Sequence, residues 1–251
     1  MERIVCVSTN NNPDYYFYSP YIAKAWRSYG WKVACVITHD VNPNYIDADY
    51  IIQLDEMEGL KTGTMAQGGR LYAANILPND SLIMTSDMDL LPLSDYWHPN
   101  ENEITIFGHD LTWRSFYPMG YIAMSCEKWK EKMQLTGNIK NDFERDAKSG
   151  LSRFNPYSDK WEEYWDWDWD FITNRLKPFE KEIKFIDRGQ INIAGGTLAK
   201  GRIDRFNWEA TQNQPEPFID AHCENNNVKH PVKLEPFLKV FERFYGKLDF
   251  I

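Results

Sequence analysis

The chain contains 251 residues, of which 43% are hydrophobic and 15% aromatic, and its formal net charge is −9. This composition provides for a sizeable core and argues against intrinsic disorder. The negative charge argues against nonspecific binding to nucleic acid or to an anionic membrane, because no overall basic field attracts phosphates. An anionic substrate would therefore need local arginine or lysine side chains, or a bound metal ion.

The four cysteines form neither a Cys-x-x-Cys pair nor a zinc-binding pattern, and their spacing does not require an oxidising compartment. A strand-like run begins directly after Met1-Glu2, which leaves no room for a signal peptide, and no apolar run reaches the length of a membrane span. We therefore expect a cytoplasmic protein with no transmembrane segment.

The first third of the chain predicts alternating strands and helices. A helix is expected to begin with Ser19 as its N-cap and to end at Gly30, and a second helix is expected over residues 64–77. Strands are expected over residues 3–9, 31–38 and 50–54, and from residue 82 to the acids that follow it. This order predicts an α/β fold with a mainly parallel sheet. Neither a G-x-G-x-x-G nor a P-loop motif is present, so the usual dinucleotide and NTPase interpretations lack support.

Two carboxylates, Asp87 and Asp89, follow the apolar run that begins at Leu82. If that run is a buried parallel strand, both lie at the carboxyl edge of the sheet, where ligands of α/β proteins bind. Close carboxylates repel each other unless a cation lies between them, and oxygen ligands favour Mg²⁺ or Mn²⁺. An Asp-x-Asp triplet on its own is more often a solvated turn, so the interpretation depends on the rest of the chain.

Two other segments are candidates for the same site. Ser8, Thr9 and Asn10 follow the first strand, and their short side chains could hydrogen-bond a nucleotide base or ribose, or could form an ordinary loop. Arg70 is the best early candidate for a phosphate contact, although arginine is more commonly a solvated surface residue.

The second half of the chain is expected to contain fewer regular elements. A strand is predicted to follow Gly120 and to lead into a helix, and the amphipathic tail over residues 234–245 is expected to pack on its own domain. Lys200, Arg202 and Arg205 form a basic cluster that is either solvated or a phosphate clamp. The other predictions are strands over residues 103–107 and 182–187, a polar excursion over 137–160 and a loop over 189–201.

A second acidic segment, the Trp/Asp segment, runs from Trp161 to Asp170 and alternates tryptophan and aspartate from Trp165 onward. Strict alternation predicts an extended segment with one aromatic and one acidic face. The rings could pack on the core while the carboxylates face water, but three acids in six residues beside aromatic rings are more typical of a sugar site. Aromatic faces cover the apolar C–H patches of a pyranose, and carboxylates accept hydrogen bonds from its hydroxyls.

In type and order, these motifs resemble those of GT-A-type glycosyltransferases that use nucleotide-sugars. Asp87-Met88-Asp89 is similar to the DxD motif of that family, and the segment around Gly120 resembles the N-x-G-x-x strand that follows it. Residues 168–173 resemble the D-Q-D-x-L-N element, with Trp and Thr in place of Gln and Asn. His222 and Lys229 resemble the C-terminal His and Lys, with a gap one residue longer. The compact size and Trp-rich middle are similar to the small glycosyltransferases of large algal viruses.

The resemblance, which spans residues 3–231, implies a single GT-A-like α/β domain over residues 1–251. A mostly parallel central sheet would be flanked by helices, with a small additional antiparallel region. Residues 1–95 would bind the nucleotide and residues 96–251 the acceptor. The implied reaction is metal-dependent transfer of a sugar from a nucleotide-sugar, with a UDP-sugar as the first expectation, to a hydroxyl of a glycan or glycoconjugate. A viral protein of this kind would act in the host cytoplasm.

The resemblance also implies roles for individual residues. Mn²⁺ or Mg²⁺ would be held by Asp87, Asp89 and His222. The nucleotide-sugar would contact Ser8, Thr9, Asn10, Tyr16, Arg70, Asp87 and Lys229. The transferred sugar and the acceptor would contact Gly120, Trp167, Trp169 and His109. Asp168 and Asp170 would be catalytic: one of them is the general base if the reaction inverts the anomeric centre, and both orient substrates if it retains it.

Three other functions are compatible with parts of the pattern. A haloacid-dehalogenase-type phosphatase also uses Asp-x-Asp after a strand, but it normally has Thr or Val where Leu91 stands. A nucleotidyltransferase would need a glycine-rich basic loop after the first strand, which residues 8–13 lack. A non-enzymatic carbohydrate-binding module could use the tryptophans, but it would not need Asp87, Asp89 and His222 together.

Overall fold

The computed structural model describes residues 1–111, 116–193, 196–205, 208, 217–223 and 231–248. The strands in these ranges are β1 (Glu2–Thr9), β2 (Lys32–Ile37), β3 (Tyr50–Gln53), β4 (Ser81–Thr85), β5 (Leu90–Pro92), β6 (Ile104–Phe107), β7 (Ile122–Ser125), β8 (Ile183–Ile186), β9 (Gln190–Ile193), β10 (Gly196–Ala199), β11 (Arg202–Ile203) and β12 (Asp220–His222). The helices are α1 (Pro13–Tyr16), α2 (Ser19–Ser28), α3 (Thr62–Gly69), α4 (Cys126–Met133), α5 (Ile139–Ala147), α6 (Trp161–Tyr164), α7 (Trp167–Leu176) and α8 (Pro231–Tyr245).

Seven strands form the central sheet in the order β3-β2-β1-β4-β7-β6-β8. Strand β7 is antiparallel to both of its neighbours, and the other adjacent pairs are parallel. A hairpin of β9 and β10 and a three-stranded sheet in the order β11-β12-β5 lie outside it. The prediction of a mostly parallel sheet flanked by helices, with a small additional antiparallel region, is confirmed.

The inner strands of the central sheet are buried on both faces, which explains why they read as continuous apolar runs, while the edge strands β3 and β8 are partly exposed. In β1, Val5 and Val7 point into one core with side chains of α2 and α8, while Ile4 and Cys6 point into the other. This division follows from the two-residue period of a strand. The second core is completed by α3, α4, α5 and α7.

The first predicted helix, α2, ends at Ser28, two residues before the expected stop at Gly30, where φ is +77°. Ser19 is not its N-cap. The helix begins at Ser19 after the short α1, and Tyr18 is the N-cap residue. The Ser19 hydroxyl instead donates to Asp47 O at 3.2 Å and accepts from Asp47 N at 2.8 Å. The side chain therefore fixes the loop before β3 rather than the helix end.

Three predictions about the segments between the main strands were wrong. The segment over residues 137–160, expected to be a polar excursion from the core, contains α5, whose Phe143 is buried in the second core, and the loop expected over 189–201 contains the β9–β10 hairpin. The second predicted helix is shorter than expected, because α3 ends at Gly69 and residues 70–75 form a 3-10 turn.

The Trp/Asp segment is helical, so the prediction of an extended conformation was also wrong. It contributes α6 and the first turn of α7. Residues two apart on a helix point about 200° away from each other, so Asp168 and Asp170 cannot share a face. Asp168 and Asp170, which were predicted to share one catalytic role, therefore have different surroundings.

The amphipathic tail forms α8 and packs on its own domain, as predicted. The Phe237 ring makes edge contacts with Tyr18 and Tyr21, and Phe241 makes another with Tyr21. Across the described ranges, no helix has both the length and the apolar character needed to cross a bilayer.

Candidate active site

A cavity of about 660 Å³ opens at the edge of the central sheet where the parallel strands β1 and β4 end. Ser86 N donates to Cys6 O at 2.9 Å, which places the segment after β4 beside the end of β1. The cavity is lined by these predicted site residues: Ser8, Thr9, Asn10, Arg70, Asp87, Asp89, Asp168, Trp169 and His222. The carboxyl edge of the sheet is therefore a concave site, as expected for an α/β protein.

The pairing of two short strands brings His222 to the two aspartates. Strand β5 begins directly after Asp89 and pairs with β12, so that Leu90 lies opposite His222 and Cys223 N donates to Asp89 O at 2.7 Å. One ligand atom from each of Asp87, Asp89 and His222 lies within 4.8 Å of the other two. Oxygen ligands of one Mg²⁺ at about 2.1 Å are at most about 4.2 Å apart, so small side-chain movements would complete a metal site.

Buried polar atoms without a hydrogen bond surround this cluster. Ser86 Oγ, Asp89 Oδ2 and Asp168 Oδ2 form no hydrogen bond with the described residues, although arginine nitrogens form ion pairs with Asp89 Oδ2 at 3.2 Å and with Asp168 Oδ2 at 3.6 Å. Buried polar atoms in native proteins are rarely left in this state unless water, an ion or a ligand reaches them. Two carboxylates and one imidazole, with unsatisfied oxygen atoms beside them, fit a divalent ion such as Mn²⁺ or Mg²⁺.

The guanidinium of Arg205 lies against two of these three ligands. It contacts the imidazole of His222, and its Nη2 lies 3.2 Å from Asp89 Oδ2. Burial, followed by the charges of Arg205 and Arg202, lowers the pKa of His222 well below its ordinary value. The imidazole is therefore neutral at pH 7, which is the form that binds metal ions.

Arg70 is buried, in contrast to the surface position that is usual for arginine, with only 6% of its surface exposed. Its Nη1 donates to Asp87 Oδ1 at 2.5 Å and to Ser86 O at 2.6 Å. Its Nη2 lies 3.6 Å from Asp168 Oδ2. One guanidinium therefore joins the Asp-x-Asp segment to α7 and compensates two carboxylates at once.

The environment separates the pKa of Asp87 from the pKa values of Asp89 and Asp168. Burial raises the pKa of Asp168 to about 6, with Arg70 lowering it and Asp87 raising it further. Burial also raises the pKa of Asp89 to about 6 against the charge of Arg205. Burial acts in the same direction on Asp87, but Arg70 and other cations more than offset it and lower the pKa of Asp87. Asp87 is thus fully ionised at pH 7, while Asp89 and Asp168 exchange protons closer to neutrality.

Gly120, predicted to contact the sugar, instead provides space for a carboxylate. A Cβ atom at this position would lie 2.7 Å from Asp87 Oδ2 and 3.1 Å from Asp87 Cγ. Any larger residue would displace the Asp87 side chain from its place beside Arg70. Gly120 is therefore a steric requirement of the Asp-x-Asp segment.

Asp168 and Asp170 have different partners on α7. Asp168 lines the cavity, and its Oδ1 accepts a hydrogen bond from Trp169 N at 3.0 Å. Asp170 accepts from Arg153 N at 2.7 Å and from Ser152 Oγ at 3.2 Å, and it is not among the residues that line the cavity. Of the two predicted catalytic residues, the structure brings only Asp168 to the site.

Helical geometry also separates the tryptophans of this segment. Trp167 is buried and stacks on Phe143 and Phe171, with ring centroids 5.4 and 5.1 Å apart, so it belongs to the core. Trp161 and Trp165 line the cavity, although the sequence-based site did not include them. Their four-residue spacing, read as a helical repeat, was the signal that could have identified them.

Two other predicted contacts lie away from the cavity lining. The His109 ring packs against the phenylalanine of β8, with centroids 4.3 Å apart. Tyr16 stacks on Tyr45 at 5.7 Å, and its neighbour Tyr15 lines the cavity instead. The predicted Lys229 contact lies outside the described residues.

Solved structures share this fold, although no protein-family model and no curated protein matches the sequence. The galactosyltransferase LgtC, in complex with donor and acceptor sugar analogues, matches with a TM-score of 0.55 and 10% identity over 99% of this chain and 97% of its own. An active-site mutant of LgtC matches with a TM-score of 0.51 and 10% identity over 88% and 86% of the two chains. The glycosyltransferase GlyE of Streptococcus pneumoniae TIGR4 matches with a TM-score of 0.51 and 11% identity over 98% of this chain and 63% of its own. Similarity at these identities establishes the fold, which is GT-A-like.

Proposed function

We propose that this protein is a metal-dependent glycosyltransferase. It would move a sugar from a nucleotide-sugar, with a UDP-sugar as the first choice, to a hydroxyl of a glycan or glycoconjugate. The observation that carries the proposal is the convergence of Asp87, Asp89 and His222 in a cavity that Asp168 also lines. The fold supports it, because the similar structures include a galactosyltransferase and a second glycosyltransferase.

The metal end of the site would hold the diphosphate of the donor. Asp87, Asp89 and His222 would bind Mn²⁺ or Mg²⁺, which supplies a Lewis acid that stabilises the negative charge of the departing nucleoside diphosphate. The Ser8–Asn10 segment lines the same cavity and offers short polar side chains and backbone groups to the base and ribose. These assignments place the donor along the carboxyl edge of β1 and β4.

At the sugar end, we assign the main role to Asp168. Its Oδ2 is buried without a hydrogen-bond partner among the described residues, and its pKa of about 6 lets it accept a proton at neutral pH. In an inverting reaction, Asp168 would take the proton of the acceptor hydroxyl as that oxygen attacks the anomeric carbon. In a retaining reaction, it would hydrogen-bond a hydroxyl of the donor sugar. Asp170 instead holds the segment before α6 through Ser152 and Arg153.

The proposal is tested by measuring thermal stabilisation by UDP, GDP and TDP with and without Mn²⁺, and then hydrolysis of the corresponding nucleotide-sugars. One nucleotide should stabilise the protein only with metal, by about 2.7 kcal/mol at a concentration 100 times its Kd. Asp89→Ala should abolish this metal-dependent part. If no nucleotide stabilises the wild-type protein with metal, the proposal is wrong. Stabilisation by free glycan alone would indicate a carbohydrate-binding module.

Two matched substitutions on α7 test the assignment of Asp168. Asp168→Asn should lower turnover by about 10²-fold or more, the usual range for loss of an acid–base group, while nucleotide affinity stays unchanged. Asp170→Asn should leave turnover within a few-fold of wild type, because Asp170 does not line the cavity. Equal losses in both variants would show that the effect is structural.

A further inference from the structure

Two tryptophans at the cavity have the surface exposure of a binding platform. Trp161 is 53% exposed and Trp165 is 38% exposed, and both line the cavity. By contrast, Trp26, Trp31 and Trp129 are almost completely buried. Tryptophan is a large apolar residue that is highly buried on average, so two adjacent exposed indole rings in a concave site are unusual.

Local helical structure holds the two rings together. Trp161 begins α6 and Trp165 follows its last residue, and Trp165 N donates to Trp161 O at 3.0 Å. Residues four apart on a helical turn share a face, and here the ring centroids are 5.2 Å apart with planes inclined by 30°. The pair is therefore preformed and requires no ordering before a ligand binds.

The surroundings of the pair suit a neutral carbohydrate. Glu162 and Asp166 line the cavity beside the two rings, and Asp168 lies three residues after Trp165. Aromatic faces cover the apolar C–H face of a pyranose, and carboxylates accept hydrogen bonds from its hydroxyls. Lys160, the nearest cation in sequence, is paired with Glu163 at 3.0 Å. An anionic glycan would bring like charge to this wall of the cavity, which is unfavourable.

From these observations we propose that Trp161 and Trp165 form the acceptor subsite, and that the acceptor presents a neutral pyranose ring to them. This inference rests on the proposed glycosyltransferase function and specifies its acceptor class. The donor would occupy the metal end, and Asp168, whose carboxylate lies 3.6 Å from Arg70 Nη2, lines the same cavity as the tryptophan pair. Stacking of the acceptor on the pair would hold its nucleophilic hydroxyl next to Asp168.

The test is binding of a glycan array by wild-type protein with UDP and Mn²⁺, followed by titration of bound glycans against each variant. Lactose and 3′-sialyllactose serve as a matched neutral and anionic pair within the array. We expect at least one neutral pyranoside to bind and its sialylated or uronic counterpart to bind more weakly. Trp161→Ala and Trp165→Ala should each raise the Kd of that glycan about tenfold, the scale of one lost aromatic contact.

The control is Tyr45→Ala, which removes an exposed aromatic ring that does not line the cavity. It should leave the Kd of the glycan unchanged, and all three variants should keep the UDP–Mn²⁺ affinity of wild type. The inference is overturned if no neutral glycan binds, if anionic glycans bind better, or if neither tryptophan variant changes the Kd. If UDP–Mn²⁺ fails to bind while glycan binding depends on the two tryptophans, the proposed transferase function fails and the carbohydrate subsite stands.

Discussion

Replacing the buried guanidinium of Arg70 should show how strongly the stability of the protein depends on charge compensation at the site. Arg70→Met keeps a long side chain of similar reach but removes the charge next to Asp87 and Asp168. Asp168, which is buried, and Asp87, which is partly exposed, would then lose the cation that both of them contact. Removing one partner of a buried ion pair costs about 3–5 kcal/mol of stability, because the remaining charge is left uncompensated.

The loss of stability caused by Arg70→Met should depend on pH in a defined direction. The folded-state pKa of Asp168 already lies at about 6, above its ordinary value, and removing Arg70 would raise it further. The same change would remove the largest cause of the lowered folded-state pKa of Asp87, so that pKa would rise too. A carboxyl whose folded pKa exceeds its unfolded pKa gains stability as pH falls, since the folded state binds more protons. The destabilisation by Arg70→Met should therefore be largest near about pH 8 and smaller near about pH 5.

Urea denaturation of wild type and variant at both pH values measures this difference. For a chain of this length, a loss of about 3–5 kcal/mol corresponds to a fall in Tm of about 6–20 °C. Arg153→Met is the matched control: Arg153 is 61% exposed and pairs with Asp170 at 3.8 Å, so its loss should cost less than about 1 kcal/mol. A loss below about 1 kcal/mol for Arg70→Met at pH 8, or an equal loss at both pH values, would refute the reasoning.

Three further changes have defined outcomes. A Cβ at Gly68 would lie 2.8 Å from ring atoms of Phe143 and Trp167. Gly68→Ala should therefore destabilise the protein by about 1–3 kcal/mol in urea unfolding, and an unchanged unfolding midpoint would contradict this. Arg205→Ala removes a cation that competes with a metal ion for Asp89, so calorimetry at pH 8 should show binding of Mn²⁺ alone that is at least about threefold tighter. Weaker binding of Mn²⁺ would disprove this competition. The pKa of Asp89 is raised to about 6, and metal ions bind the ionised carboxylate, so the affinity for Mn²⁺ should fall by up to about tenfold per pH unit below 6. An Mn²⁺ affinity that does not change with pH would exclude this coupling.

Much of the fold could be predicted because its strands are buried on both faces. Residues 3–9 and 31–38 were predicted as strands, and β1 and β2 occupy nearly the same ranges. Helix α5 escaped prediction for a physical reason. Its buried face includes Asp142 and Asp146, which pair with Arg145. A buried face made partly of paired charges does not show the apolar period on which sequence patterns depend.

The Trp/Asp segment shows why one pattern can match two structures. Aromatic residues at every second position also fall four apart, so the sequence fits both a strand and a helix. Packing decides between them: Trp167 and Phe171, four residues apart, enter the same core, and Gly68 leaves room for the Trp167 ring. The contact of Arg205 with His222 had no local signal, because it depends on the pairing of β11, which Arg205 follows, with β12.

The distribution of cations in the cavity decides which of them is available to a diphosphate. Arg70 and Arg205 are the arginines that line the cavity among the described residues, and no described lysine does. Arg70, the predicted phosphate contact, is buried and already held by Asp87 and Asp168, so its charge is compensated. Arg205 instead contacts Asp89 and His222, the groups that a metal would bind under the proposed function. A metal ion at those ligands would repel the guanidinium, and the diphosphate that accompanies the metal would attract it. Arg205, rather than Arg70, is therefore the arginine expected to pair with the donor phosphates.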